Sequence, residues 1–566
     1  MPARSVLRLL RELEGLRTQF GGHEGARVEA LLRALRHRHF PDVASLIRFH
    51  EVLLFLRAFP HRPGVVRLTQ ELLTDFAARV DRLRRAEAGM EDFDPLEVSG
   101  IAGTAMNDTL SFDVLRWLVR RLPGRVEIDW ENYDEDRSLA ATWPRFLPLL
   151  EEDGYVEADV PWRRWLEAAQ GSRSASPGWL VERFERMPLS PQERAELYDS
   201  LRLPVCWKLG NSPVSRTRNW RRVARPLCHD APLIVRSQVS LAAELTRPAP
   251  RFVRLSRQQG SAVIEKIREV MLVRYRELYG TTLGDPASVV RADVGRGVSI
   301  YLWGLPLERR LPLRAYLAGF TLKNGVPINY IEAIGLFEWM EVGFNTFYTF
   351  RGGETAWIYA QVLRCLRALA GTTCISVYPY QLGKENDEAI DSGAFWFYRK
   401  LGFRPGRPDL LRLVEREEAR IAADPRHRTR PATLRKLAEG HVFYEAPGSE
   451  PGAWDTFSMR NLGFRINRRM AKEFGGDSDR IRRFSVVAVA RALGVSFGRK
   501  PAREQAAFEN FALVLALLPD LSAWTAQEKE DLLRIIRIKA AGRETQYLRL
   551  LQKHRRLRDS LLKVGS

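Results

Sequence analysis

Residues 351–377 read RGGETAWIYAQVLRCLRALAGTTCISV. The run opens on a glycine-rich turn, Arg351-Gly352-Gly353-Glu354-Thr355-Ala356. It runs straight into a predicted helix, Trp357 to Ala370. Thr372 to Val377 then reads as a strand, rich in β-branched side chains. Ahead of the turn, Ile328–Ile334 and Phe337–Tyr348 are extended in pattern and aromatic. The order strand, turn, helix, strand predicts an α/β unit. The turn stands where the first amides of a helix lack partners and the helix dipole favours an anion. Glycines there let a ligand approach the backbone closely, and a pyrophosphate is the natural guest.

Moving outward, Ser261–Tyr279 predicts one or two amphipathic helices. Val289–Ala292 and Val298–Leu302 alternate as strands around Gly295-Arg296-Gly297. Arg314–Thr321 reads as a further strand, followed by the turn signal Lys323-Asn324-Gly325. On the other side, Ala389–Leu401 predicts a second helix that ends at Gly402-Phe403. Within it Ala394, Tyr398, Gly402 and Phe403 stand at fixed spacing in AFWFYRKLGF.

Residues 251–404 resemble the GNAT N-acyltransferase superfamily. The family's diphosphate loop is matched at Arg351, Gly352 and Ala356, and its second signature at Ala394, Tyr398, Gly402 and Phe403. Glu354 departs from the pattern, because it brings a carboxylate where glycine is usual. Asp391 stands in the place of a frequent Asn. The resemblance covers between a quarter and a third of the chain. It implies a GNAT-like mixed sheet flanked by helices, and a site for acetyl-CoA or another acyl-CoA. The amides of Gly352, Gly353, Glu354, Thr355 and Ala356 would hold the diphosphate, with Arg351 in the same cofactor-binding loop. The splayed strands on either side of the loop would bind the pantetheine arm. The implied activity is acyl transfer to an amine by direct attack on the thioester.

Tyr398 matches the acid that protonates the leaving thiolate, and an ordinary phenol is protonated at neutral pH. The competing reading packs Tyr398 with Phe395 and Phe397 in a helix–sheet core. The family often places the base in the strand before the loop, where Glu338 and Glu341 are the candidates and Glu332 a third. Glu341 is preferred because Asn345 shares its strand parity. Alternatively, either carboxylate pairs with an Arg. After Phe403 come Pro405, Pro408 and a charged helical stretch, Leu410–Ala423. Only Gly440–Tyr444 is left to supply a late strand, so the acceptor pocket is expected from other parts of the chain.

The flanks are less specific. Residues 1–90 read as a helical region, 91–248 as an α/β region, 249–445 as the GNAT-like domain, and 446–566 as helical and basic. Gly100 and Gly103 in VSGIAGT (98–104) lack the lysine or third glycine of a nucleotide loop and read as a turn. Asp129, Glu131, Asp134, Glu135 and Asp136 form an acidic loop without EF-hand spacing. Residues 144–165 suggest a short helix, a turn and an extended piece. Arg216, Arg218, Arg221, Arg222 and Arg225 surround Trp220, either a strip for phosphates and bases or arginines covering apolar surface.

The 566 residues carry 89 Lys+Arg against 69 Asp+Glu, a net charge of +20. That surplus suits an anionic ligand. It leaves nucleic acid open, as the partner of a catalytically inactive scaffold that binds nucleic acid or a protein. Hydrophobic residues at 45% and charged at 28% exclude a collagenous or wholly disordered chain. Four cysteines with no ligand spacing argue against zinc and suit a reducing compartment, so a cytoplasmic protein is expected. The apolar stretch Phe511–Leu518 is too short to span a bilayer.

Overall fold

The computed structural model describes residues 3–86, 89–133, 142, 145, 162–171, 177–496 and 501–566. The chain forms two compact units, one of residues 1–232 with 263–282, the other of 233–262 with 283–566. The acidic positions 134–136, and all but a few of residues 144–165, lie outside the described residues.

The first unit opens with the helices Ala3–Leu16, Glu24–Leu35, Val43–Ala58, Pro63–Thr74 and Phe76–Arg85. Capping starts the third: the Asp42 side chain accepts from the Ser45 amide. A small antiparallel sheet follows, of β1 (Ala105–Thr109), β2 (Val126–Ile128) and β3 (Pro204–Lys208) in the order β1-β3-β2. The helix Phe112–Arg121 links β1 and β2, but β3 lies between those strands. Phe112, Leu115, Leu118, Phe184, Tyr198 and Trp207 belong to the core around this sheet.

The second unit is built on nine strands: β4 (Phe252–Arg254), β5 (Val290–Gly295), β6 (Val298–Trp303), β7 (Ala315–Lys323), β8 (Val326–Leu336), β9 (Trp339–Thr346), β10 (Cys374–Val377), β11 (Arg404–Pro405) and β12 (Val442–Glu445). Their order is β11-β12-β10-β9-β8-β7-β6-β5-β4. From β4 to β9 every neighbour is antiparallel, and tight turns join β5 to β6, β7 to β8 and β8 to β9. Arg296-Gly297 and Asn324-Gly325 have positive φ throughout (50° and 69°, 50° and 77°), the geometry of two-residue hairpins that match strand twist.

The β9–β10 pair is parallel, joined by the 16-residue helix Thr355–Ala370. Parallel strands need such a crossover. Gly371, at φ 75°, ends the helix in the left-handed conformation. Phe344 on β9 meets Tyr359 of this helix at 4.9 Å between ring centres, so Val342, Phe344 and Thr346 share the face toward it. Glu341, Gly343 and Asn345 take the opposite face.

Two sequence expectations change here. The stretch 389–401 is not one helix: Gly393 at φ 66° separates Asp387–Asp391 from Ala394–Arg399. And two late strands do exist. β12 inserts between β10 and the two-residue β11, antiparallel to both. β11 escapes sequence patterns because two residues cannot show a period. Helices from Met459–Phe474 to Arg555–Gly565 complete the unit. Among the described residues no helix is long and apolar enough to cross a membrane.

Candidate functional site

β9 and β10 pair only over Trp339–Glu341 against Cys374–Ser376. Beyond Glu341 the strands part, and among the described residues no strand pairs with that edge of 342–346. Backbone groups there are open to another partner. The fork stands at the carboxyl ends of two parallel strands, where ligands bind in open α/β sheets.

Glu341 sits at the branch point. Its carboxylate lies 3.1 Å from Nε2 of His441, the residue before β12. Both side chains reach solvent, at 19% and 35% exposure. Tyr378, just after β10, meets the His441 ring edge-on at 5.4 Å and is itself exposed. Gln381 overhangs the fork: a Cβ on Gly343 would lie 3.5 Å from its amide nitrogen. A carboxylate that orients an imidazole leaves the second ring nitrogen available to take a proton. Burial lowers Arg314 below its ordinary value, and the nearby charge of Glu341 partly offsets this.

The turn 351–356 leads from this edge into the helix. Glu354 is the N-cap residue of Thr355–Ala370, yet its side chain does not cap the helix. It turns inward, fully buried, and accepts from Arg296 and from the Ile234 amide at 3.2 Å. Lys323, also fully buried, holds its ammonium 3.7 Å from the same carboxylate. The tips of two hairpins thus bring cations beneath the turn. Burial alone would raise the Glu354 carboxyl, but the Arg296 and Lys323 charges outweigh it and hold the group below the usual range. Burial pulls Lys323 down to about 8, against the pull of Glu354. The carboxylate is therefore matched by two cations and directed away from the helix amides. Arg351 and Gly352 are exposed at the turn; Gly353 and Thr355 are partly exposed, and Ala356 is buried. Arg351 stacks on Tyr348 at 3.8 Å and pairs with Glu388.

The other candidates lie elsewhere. Glu338 is not within the strand. It occupies the Phe337–Glu338 turn between β8 and β9, at the opposite end of β9 from the loop. Its carboxylate accepts from the Trp454 indole at 2.8 Å and from Arg558 at 2.7 Å, an anchoring role for a partly buried charge. Glu332 faces Gly343 across the sheet and accepts from the Tyr316 hydroxyl. Tyr398 is 3% exposed, walled by Tyr359, Phe397 and Phe403. Burial raises its phenol well above the ordinary value.

Sequence reading missed His441, Gln381, Arg296 and Lys323 as members of these sites. GHVFY (440–444) read only as a strand, and the two hairpin tips only as turns. One signal was available: a lysine between two apolar strands needs a buried anion. The arginine strip is also altered. Arg216 is 2% exposed and bound to Glu51 at 2.9 Å, while Trp220 lies 5.5 Å from the Arg57 guanidinium. Arg221, Arg222 and Arg225 remain exposed. The chain matches no family model, no curated protein and no solved structure.

Proposed function

We propose that the second unit is an acyl-CoA-dependent N-acyltransferase, taking acetyl-CoA or another acyl-CoA and an amine acceptor. One observation carries the reading. Two parallel strands part at Glu341 and lead through a glycine turn to the uncapped N-terminus of a 16-residue helix. The diphosphate would sit on the amides of Gly352, Glu354, Thr355 and Ala356, since the Gly353 amide already donates to the Phe350 carbonyl at 2.9 Å, over a carboxylate already neutralised from below. The pantetheine would run along the unpaired edge of 342–346, completing it like a missing strand. The thioester would then lie beside Glu341. His441, oriented by Glu341, takes the proton of the attacking amine as the C–N bond forms, an N–H of the open edge stabilises the oxyanion, and as the C–S bond breaks the proton on His441 passes to the departing thiolate. The late strand β12 shapes the acceptor side through His441 and Phe443, whose rings lie 6.2 Å apart.

Calorimetric titration with acetyl-CoA tests the reading; absence of binding at millimolar cofactor overturns it. If it holds, Glu341→Gln and His441→Ala each lower kcat by about 100-fold, with cofactor affinity kept. A second reading, a scaffold that binds without catalysis, is favoured by one observation: the enclosure of Tyr398, the matching acid, in an aromatic cluster. Cofactor binding without thiol release from any amine would select it. Steeply salt-dependent binding of RNA or DNA would then point to nucleic acid as its partner.

A further inference from the structure

The far end of the helix Thr355–Ala370 borders a second site. Leu369 lies in the wall of a cavity of about 700 Å³. Along the helix axis Leu369 is about 21 Å from Thr355 in the turn 351–356. The volume falls within the range of sites for small organic molecules.

Its walls are apolar where the sheet forms them. Val290 and Leu302 are register partners on β5 and β6, joined by Leu317 of β7, with Phe252 and Trp303 completing the surface. Charged side chains line it as well. Asp285 and Glu544 are the carboxylates on the wall, and both are engaged. Asp285 accepts from the Ala287 amide at 2.9 Å, closing its own turn. Glu544, 5% exposed, has both oxygens 2.9 Å from the Lys539 ammonium, with Arg310 at 3.4 Å. Arg310 also donates to the Gly542 carbonyl at 2.6 Å.

Two more arginines line the cavity, Arg254 and Arg543, both exposed. Arg254 donates to the Ala287 carbonyl at 2.9 Å. Among the described residues no carboxylate pairs with either. The pocket is apolar, Glu544 is matched by cations, Asp285 accepts one amide, and two guanidinium groups have no carboxylate partner, a lining that favours an apolar body with a negative head.

We propose that this cavity binds an apolar monocarboxylate, such as a medium-length fatty acid, with its chain against β5–β7 and its head on Arg254 and Arg543. The proposal is independent of the acyl-CoA reading, since the two sites stand at opposite ends of one helix.

Calorimetry with decanoate below its micelle-forming concentration tests it on the full chain, with decanol and decylammonium as neutral and cationic analogues. Decanoate is expected to bind with one-to-one stoichiometry, about tenfold or more tighter than either analogue. Leu317→Trp, which fills the cavity, should abolish binding. Gln546→Trp, an exposed change at the rim, should do the same and keeps the test valid if the first variant misfolds. The double variant Arg254→Glu, Arg543→Glu should reverse the preference toward decylammonium. Equal affinity for decanol overturns anion recognition. Decanoate binding that survives Gln546→Trp places the ligand elsewhere and overturns the site.

Discussion

The two glycine-containing turns of this chain, 98–104 and 351–356, look alike in composition and serve opposite ends. The first is packed shut. Gly100 has φ 80°, and a Cβ there would lie 2.3 Å from the Val273 carbonyl oxygen. Gly103 has φ 95°, and its Cβ would lie 2.9 Å from that of Val80. Thr217 donors and acceptors close the same knot: its hydroxyl accepts from the Ala102 amide at 2.9 Å and lies 2.9 Å from Nε2 of the buried His50. Glycine is used there because another part of the chain passes too close for a side chain. The second turn keeps its first residues in solvent and hides its one carboxylate. Glycine content alone does not tell a keystone from a cradle; what lies within 3 Å does.

The largest expected effect breaks the first turn. Gly100→Val should cost about 4 kcal/mol, through backbone strain and overlap with Val273. Chemical denaturation should show the loss in the transition of the first unit. A change below 1 kcal/mol would mean that the turn is looser than its contacts imply.

Next is the carboxylate under the second turn. Glu354→Gln should cost about 3 kcal/mol, because it leaves the Lys323 ammonium buried without its anion. The double variant with Lys323→Met should recover much of that loss. Denaturant midpoints for the four forms of this cycle measure the coupling.

Lys323 also predicts a pH dependence. Its folded value near 8 lies below the unfolded value of 10.5, so between these the unfolded chain binds more protons. Stability contributed by this group is full above about 10.5 and is lost as pH falls through 8. Wild type should therefore gain stability relative to Lys323→Met as pH rises from 8 to 10. A flat difference would mean that the ammonium is hydrated.

The smallest effects belong to the open rim. Arg351→Ala removes an exposed pair with Glu388 and should change stability by less than about 1 kcal/mol. It should still weaken acetyl-CoA binding if the turn is a cradle, because a cation at its mouth is lost. Unchanged affinity would place the diphosphate away from Arg351.

Much of the second unit's architecture was legible because its elements carry local signals. The β7–β8 hairpin announces itself in Asn324-Gly325, and the helix 355–370 in its uninterrupted run after the glycine turn. The split at Gly393 was not legible, since a single glycine inside a helical pattern is usually tolerated. β11 was not legible because its pairing with β12 bridges 36 intervening residues, from Pro405 to Val442. The site was read unevenly for the same reason. Glu341 follows from strand parity and position. His441 stands just before a strand 100 residues later, and only the insertion of β12 beside β10 brings it to 3.1 Å.

By itself the sequence determined where the turn, helix and strands of residues 351–377 fall, because backbone preference and hydrophobic period act over a few neighbours. It also determined that Glu354 would be a problem for an anion at that turn. Only the tertiary structure decided the outcome. Arg296 and Lys323 lie on different hairpins, and a charge is matched through space, not along the chain. The same holds for Glu338 and Glu341, three residues apart. One anchors Trp454 and Arg558 at a turn; the other faces His441 at the fork.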